Sequence, residues 1–273
     1  MSTGHIIAIG GGGFGRNPNH NKIEKYILNQ SEKESPNILF LPTASAEDKS
    51  YIVNYYSCFS KLNCVPSHLT FFQRTPRLDS LINKADIIYV GGGNTKSMLA
   101  VWREWKLDTL LKKAYSNGKI LCGVSAGAIC WFEQGITDSW ASNLNTLECL
   151  GFIKGMACPH YQEEADRKPN VHKFLLNGKA IPGYAIDGGA AAHFISGEYF
   201  KGLQFYPNSF VYKVSEKSDS VIAFNPSCRY FSLIALTLFL YRGTCTISKL
   251  SNLSANPQTA SFKKCSSFEC VLP

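Results

Sequence analysis

Six short apolar runs, at 6–9, 38–41, 69–72, 87–90, 120–124 and 184–186, recur along the first 223 residues. Several of them stop abruptly at glycines or at the Pro42-Thr43 turn. The runs are continuous rather than alternating, which is the pattern of strands buried on both faces. Between them lie amphipathic stretches of helical length at 46–62, 77–85, 95–116 and from 126 onward. A chain that alternates in this way predicts a three-layer α/β/α fold with a mostly parallel sheet. No internal repeat interrupts the alternation.

The rhythm ends near residue 222. The remaining segment, 224–273, holds eight serines, four cysteines and a single acid, Glu269, and is expected to be an atypical, poorly ordered tail beside a catalytic domain at 1–223. Its apolar run at 230–241 is far shorter than the roughly 20 residues that cross a bilayer, so no membrane span is expected. The N-terminus lacks a basic region followed by a long apolar one, and the expected location is the cytoplasm. The net charge of +8 divides evenly, because five basic residues and one acid in the tail give +4 and leave +4 for the rest. A dispersed +4 does not form a nucleic-acid-binding stripe. The ten cysteines include no CxxC pair, which argues for reduced, structural thiols and against a metal site.

The most specific chemical signal is Gly123-Val124-Ser125-Ala126-Gly127, a G-x-S-x-G that follows an apolar run and precedes a helical stretch. Such a strand–turn–helix elbow lifts a serine hydroxyl above the carboxyl edge of a sheet and sets it at a helix N-terminus, where a developing anion is favoured. A serine nucleophile needs a base, and six histidines are available. His160 is the best placed, just beyond a short apolar stretch, whereas His5, His20, His68, His172 and His193 have ordinary surface or packing explanations. For the acid that orients the base, Asp138, Glu133, Glu163, Glu164 and Asp187 all compete.

Two further glycine clusters stand at strand ends. Gly91-Gly92-Gly93 before Asn94-Thr95 is suited to one half of an oxyanion hole, with the Ala126 N–H as the other. The run from Gly10 to Gly15 formally satisfies G-x-G-x-x-G and raises a dinucleotide-binding alternative. Pro18 and the polar residues around it argue against the helix that such a site requires.

Taken together, FLPTAS (40–45), YVGGGNT (89–95), GVSAGA (123–128), ITDS (136–139), CPH (158–160) and YAIDGGAA (184–191) identify a resemblance. The chain resembles the peptidase E family of aspartyl dipeptidases, which are serine peptidases related to cyanophycinase and, more distantly, to class I glutamine amidotransferases. The resemblance implies a fold like that of those amidotransferases, a Ser125–His160–Asp138 triad, in which some relatives carry Glu as the acid, and an oxyanion hole from Gly93 and Ala126. It implies dipeptides with N-terminal aspartate as substrates, with Arg167, shared by Lys168, for the acidic side chain, Asp187, Glu163 or Glu164 for the α-amino group, and no metal or organic cofactor; the expected assembly is a monomer or homodimer. Family chains continue past Tyr212–Val214 into one more strand, where this chain approaches its unmatched tail. That departure raises a second reading, a catalytically impaired or non-catalytic binding protein on the same fold.

Overall fold

A computed structural model describes residues 4–16, 21–140 and 143–221. The chain divides into units at 1–225 and 226–273, and the second lies wholly outside the described residues. The expected tail, its apolar run and His20 lie outside them too.

Four of the apolar runs, 6–9, 38–41, 87–90 and 120–124, become strands of the first sheet. Strands β1 (His5–Ile9), β2 (Asn37–Leu41), β3 (Val65–His68), β4 (Ile87–Val90) and β5 (Ile120–Val124) lie parallel. The helices between them are α1 (Lys22–Leu28), α2 (Lys49–Phe59), α3 (Leu78–Lys84), α4 (Thr95–Glu104) and α5 (Leu107–Ser116). Side chains alternate across each strand, so one face presents Ile6, Leu39, Ile88 and Leu121 to Ile82, Leu99, Trp102 and Leu111. The opposite face presents Ile7, Ile38, Ile87 and Cys122 to Ile23, Ile27, Tyr55 and Phe59. Helices therefore cover both faces, as the continuous apolar runs require.

Beyond β5 come α6 (Ala126–Ile129), β6 (Phe132–Thr137), β7 (Asn145–Glu148), β8 (Ile153–Pro159), α7 (Arg167–Leu176) and β9 (Gly183–Ile186). The described chain closes with β10 (Ala190–Ile195), β11 (Glu198–Gln204), β12 (Val211–Val214) and β13 (Asp219–Val221). The hairpin β10–β11 adds antiparallel strands beside β1, giving the order β11-β10-β1-β5-β4-β2-β3. A second sheet, ordered β13-β12-β9-β8-β6-β7, carries three parallel strands, β6, β8 and β9. Its core joins Met156, Cys158, Ala185 and Tyr212 to Val171, Phe174 and Leu175 of α7.

Three local expectations change. The third strand is Val65–His68 rather than 69–72, because the Leu69 N–H makes the last bond to β2, at Phe40 O (3.0 Å), and the Phe71 N–H then turns to the Glu47 carboxylate. The stretch 95–116 is two helices, broken where Lys106 adopts a left-handed φ of 56°. Past Tyr212–Val214 the sheet continues by one strand, since β13 pairs antiparallel with β12.

Candidate active site

Ser125 stands where β5 ends and α6 begins, with φ 56° and ψ −110°. Side chains rarely adopt this conformation, and such strain gathers at functional positions. The tight packing around it explains the flanking glycines. A Cβ on Gly127 would lie 2.2 Å from Val90 O of β4, so only glycine lets the elbow settle against that strand. The Ser125 N–H donates to Ile9 O of β1 (3.0 Å), and Ser125 O accepts from Ala128 and Ile129 N–H (2.9 and 3.1 Å). The serine is thus anchored at the carboxyl edge of the parallel strands, where open α/β sheets carry their ligands.

His160 follows β8 directly and is also left-handed, at φ 53°. Its N–H donates to Gly10 O (3.2 Å), and its imidazole packs on Gly11 so closely that a Cβ there would lie 2.7 Å from Cε1. The glycine run after β1, which suggests a nucleotide in the sequence, is packed closely in several places, Gly10 against the Asp187 backbone, Gly11 against the imidazole and Gly15 against the Tyr51 ring. His160 Nδ1 lies 3.0 Å from Glu163 Oε2. The hydrogen bond to His160 holds the Glu163 carboxyl below the usual range, against the opposing effect of burial.

Two of the expected site residues have their partners elsewhere. Asp138 does not meet His160. Its carboxylate lies 3.4 Å from Arg167 Nη2, and the side chain is 66% exposed. The reason is topological: Asp138 leaves the end of β6, opposite the first residue of α7 rather than the turn after β8. Asp187 is turned into the fold. It is buried, accepting from the Gln162 N–H (3.1 Å), the Phe210 N–H (2.9 Å) and the Tyr212 hydroxyl (3.2 Å), and burial pushes its carboxyl up. Its contacts bind the turn after His160 to β12, a structural task.

Arg167 is buried at the start of α7. It donates from Nε to Glu164 Oε2 (2.7 Å) and from Nη1 to Ile136 O (3.2 Å), with Asp138 at its third nitrogen. Its charge is already shared by two carboxylates.

Ser125 and His160 both line two adjoining hollows. One, of about 400 Å³, is bordered by Arg16, Ser45, Asp48, Tyr51 and Gly93. The other, of about 300 Å³, is bordered by Arg16, Gly93, Asn94, Asp138, Glu164 and Arg167. Gly93 opens onto both hollows, while Ala126 lies buried as the first residue of α6. Arg16, absent from the residues expected at the site, also borders both; its position just after the glycine run was the available signal. Glu163 had a signal as well, lying three residues beyond His160 within one turn. Among the described residues no cluster of three or more His, Cys, Asp or Glu is arranged to hold a metal ion. No helix among them is long and apolar enough to cross a membrane.

Comparison with known proteins places this geometry in context. The model of a family described as Peptidase family S51 matches residues 6–201. An uncharacterized peptidase, YgaJ of Bacillus subtilis (strain 168), is 48% identical over 211 residues, covering 77% of this chain and 91% of the relative. A protein named Peptidase E from Pasteurella multocida (strain Pm70) is 24% identical over 176 residues, covering 60% of this chain and 73% of the relative. In fold, the crystal structure of a peptidase from an acI-B1 Actinobacterium superposes with a TM-score of 0.62 at 17% identity, covering 81% of this chain and 95% of that one.

Proposed function

The chain belongs to peptidase family S51, and from that premise we propose that it is a serine peptidase that hydrolyses short peptides, chiefly dipeptides with N-terminal aspartate. The observation that supports this reading is that Ser125, strained on its elbow, and His160 border the same two hollows. Each hollow takes the residue on one side of the scissile bond.

The Ser125 hydroxyl attacks the aspartyl carbonyl as its proton passes to His160 Nε2, the ring nitrogen left over when Nδ1 faces Glu163. The carbonyl electron pair moves onto oxygen, where the N–H groups of Gly93 and Ala126 stabilise it; each such donor contributes roughly 3–4 kcal/mol to lowering the barrier. Collapse expels the amine, which takes the proton back from His160. Water then attacks the acyl-enzyme with the same base and releases aspartate. Arg16, which borders both hollows, meets the acidic side chain. Arg167 contributes less, because Glu164 and Asp138 already share its charge.

Purified protein and Ser125→Ala are compared on aspartyl, glutamyl and leucyl chromogenic amides. Release from the aspartyl amide by the wild type alone is the expected result. Release by Ser125→Ala at the wild-type rate overturns the nucleophile, and preference for the leucyl amide overturns the acidic specificity.

A further inference from the structure

We propose that Glu163 is the positioning residue that orients His160, taking the place in the triad that the family resemblance gives to Asp138. The proposal rests on the serine-peptidase reading above and names the third member of that site.

Three observations carry it. First, Glu163 Oε2 lies 3.0 Å from His160 Nδ1, in the position that keeps the proton on Nδ1 and leaves Nε2 as the base. Second, the carboxylate is itself held. It occupies the space that a side chain on residue 188 would need, since a Cβ on Gly188 would lie 2.0 Å from Oε1. The turn that carries it is fastened to the end of β9, where the Tyr161 N–H donates to Ile186 O (3.3 Å) and the Gln162 N–H to Asp187 Oδ1 (3.1 Å). Third, the competing carboxylates are engaged elsewhere. Asp138 and Glu164 both contact Arg167, and Asp187 accepts from three donors of its own. Glu163 is also the less exposed of the two contenders, at 41% against 66% for Asp138.

The fit is local in origin. His160 in the left-handed region bends the chain sharply after β8, and a residue three positions later returns beneath its imidazole. The charged groups that act on Glu163 are His160 itself and Arg16, while Glu163 in turn acts on Asp187. Arg16 reinforces the carboxylate form of Glu163.

The test is the rate at which a fluorophosphonate labels Ser125 as a function of pH, because that reaction needs the nucleophile and its base but no peptide specificity. Wild type, Glu163→Gln, Glu163→Asp, Asp138→Asn and Ser125→Ala are compared, with thermal melting as the folding control. In Glu163→Gln the labelling rate is expected to fall roughly 10³-fold and the acidic limb of the profile to move to lower pH. Glu163→Asp restores part of the rate, and Asp138→Asn leaves the limb where it is. Glu163→Gln labelling within threefold of wild type overturns the proposal, as does Asp138→Asn taking the large loss. Labelling that persists in Ser125→Ala, or that never occurs in wild type, instead overturns the serine reading and the proposal with it.

Discussion

Two residues at the centre of the site, Ser125 and His160, sit in backbone regions that their side chains disfavour. At Ser125 the strain is the condition for presenting the hydroxyl above the sheet, and it has a measurable counterpart. Ser125→Gly relieves the positive φ and is expected to unfold at higher urea concentration than wild type, by about 1 kcal/mol, while losing all turnover. Gly127 shows the opposite constraint. Gly127→Ala drives a methyl to within 2.2 Å of Val90 O and is expected to cost about 1–3 kcal/mol as well as activity. The same urea titration, run beside the amide assay, checks both variants.

At the scale of elements, the site depends on how the turn after β8 is fastened to its neighbours. Asp187, at the end of β9, gathers donors from the His160 turn and from β12, so three segments share one buried acceptor. Asp187→Ala removes that acceptor and is expected to destabilise the fold by at least about 3 kcal/mol, with Asp187→Asn costing less. Equal urea midpoints for Asp187→Ala and wild type would contradict this role. The loss of activity in Asp187→Ala is then secondary to a loosened turn. In Glu163→Gln, by contrast, the loss is expected without a drop in melting temperature.

For the whole molecule, the pH dependence of stability has an identifiable source on the far face of the first sheet. His193 on β10 is fully buried, with its ring nitrogens 3.0 Å from His5 Nδ1 and 2.7 Å from the Tyr26 hydroxyl. Burial, assisted by His5 and Lys201, pushes it down to about 3 from the ordinary 6.5. Between those values the unfolded chain binds a proton that the folded one does not. Stability therefore falls as pH drops below about 6.5, by up to about 1.4 kcal/mol per pH unit, and His193 adds no slope above it. Glu24 and Asp187, whose carboxyls burial raises, act in the opposite direction over part of this range. His193 is accordingly isolated by difference. Urea unfolding at pH 7.5, 5.5 and 4.5 should show wild type more stable than His193→Gln at the highest pH, with the gap narrowing as pH falls. A constant gap would remove His193 as the source.

The sequence by itself determined the parallel core of the first sheet and the serine elbow. Each of these rests on local chemistry: continuous Ile-, Leu- and Val-rich runs must be covered on both faces, and the turn at Ser125 tolerates only glycine at residue 127. The second sheet was less legible, because its strands β6 and β7 are half polar and carry no comparable run. Which carboxylate lies beside His160 was decided only by the tertiary structure. Asp138, Glu163, Glu164 and Asp187 are alike in kind, and the family pattern favours Asp138, but the chain leaving β6 carries Asp138 to Arg167 while the left-handed bend at His160 returns Glu163 to the imidazole. An ion pair or hydrogen bond forms within about 3–4 Å, and that distance depends on where two separate chain segments come to rest rather than on the identity of either residue.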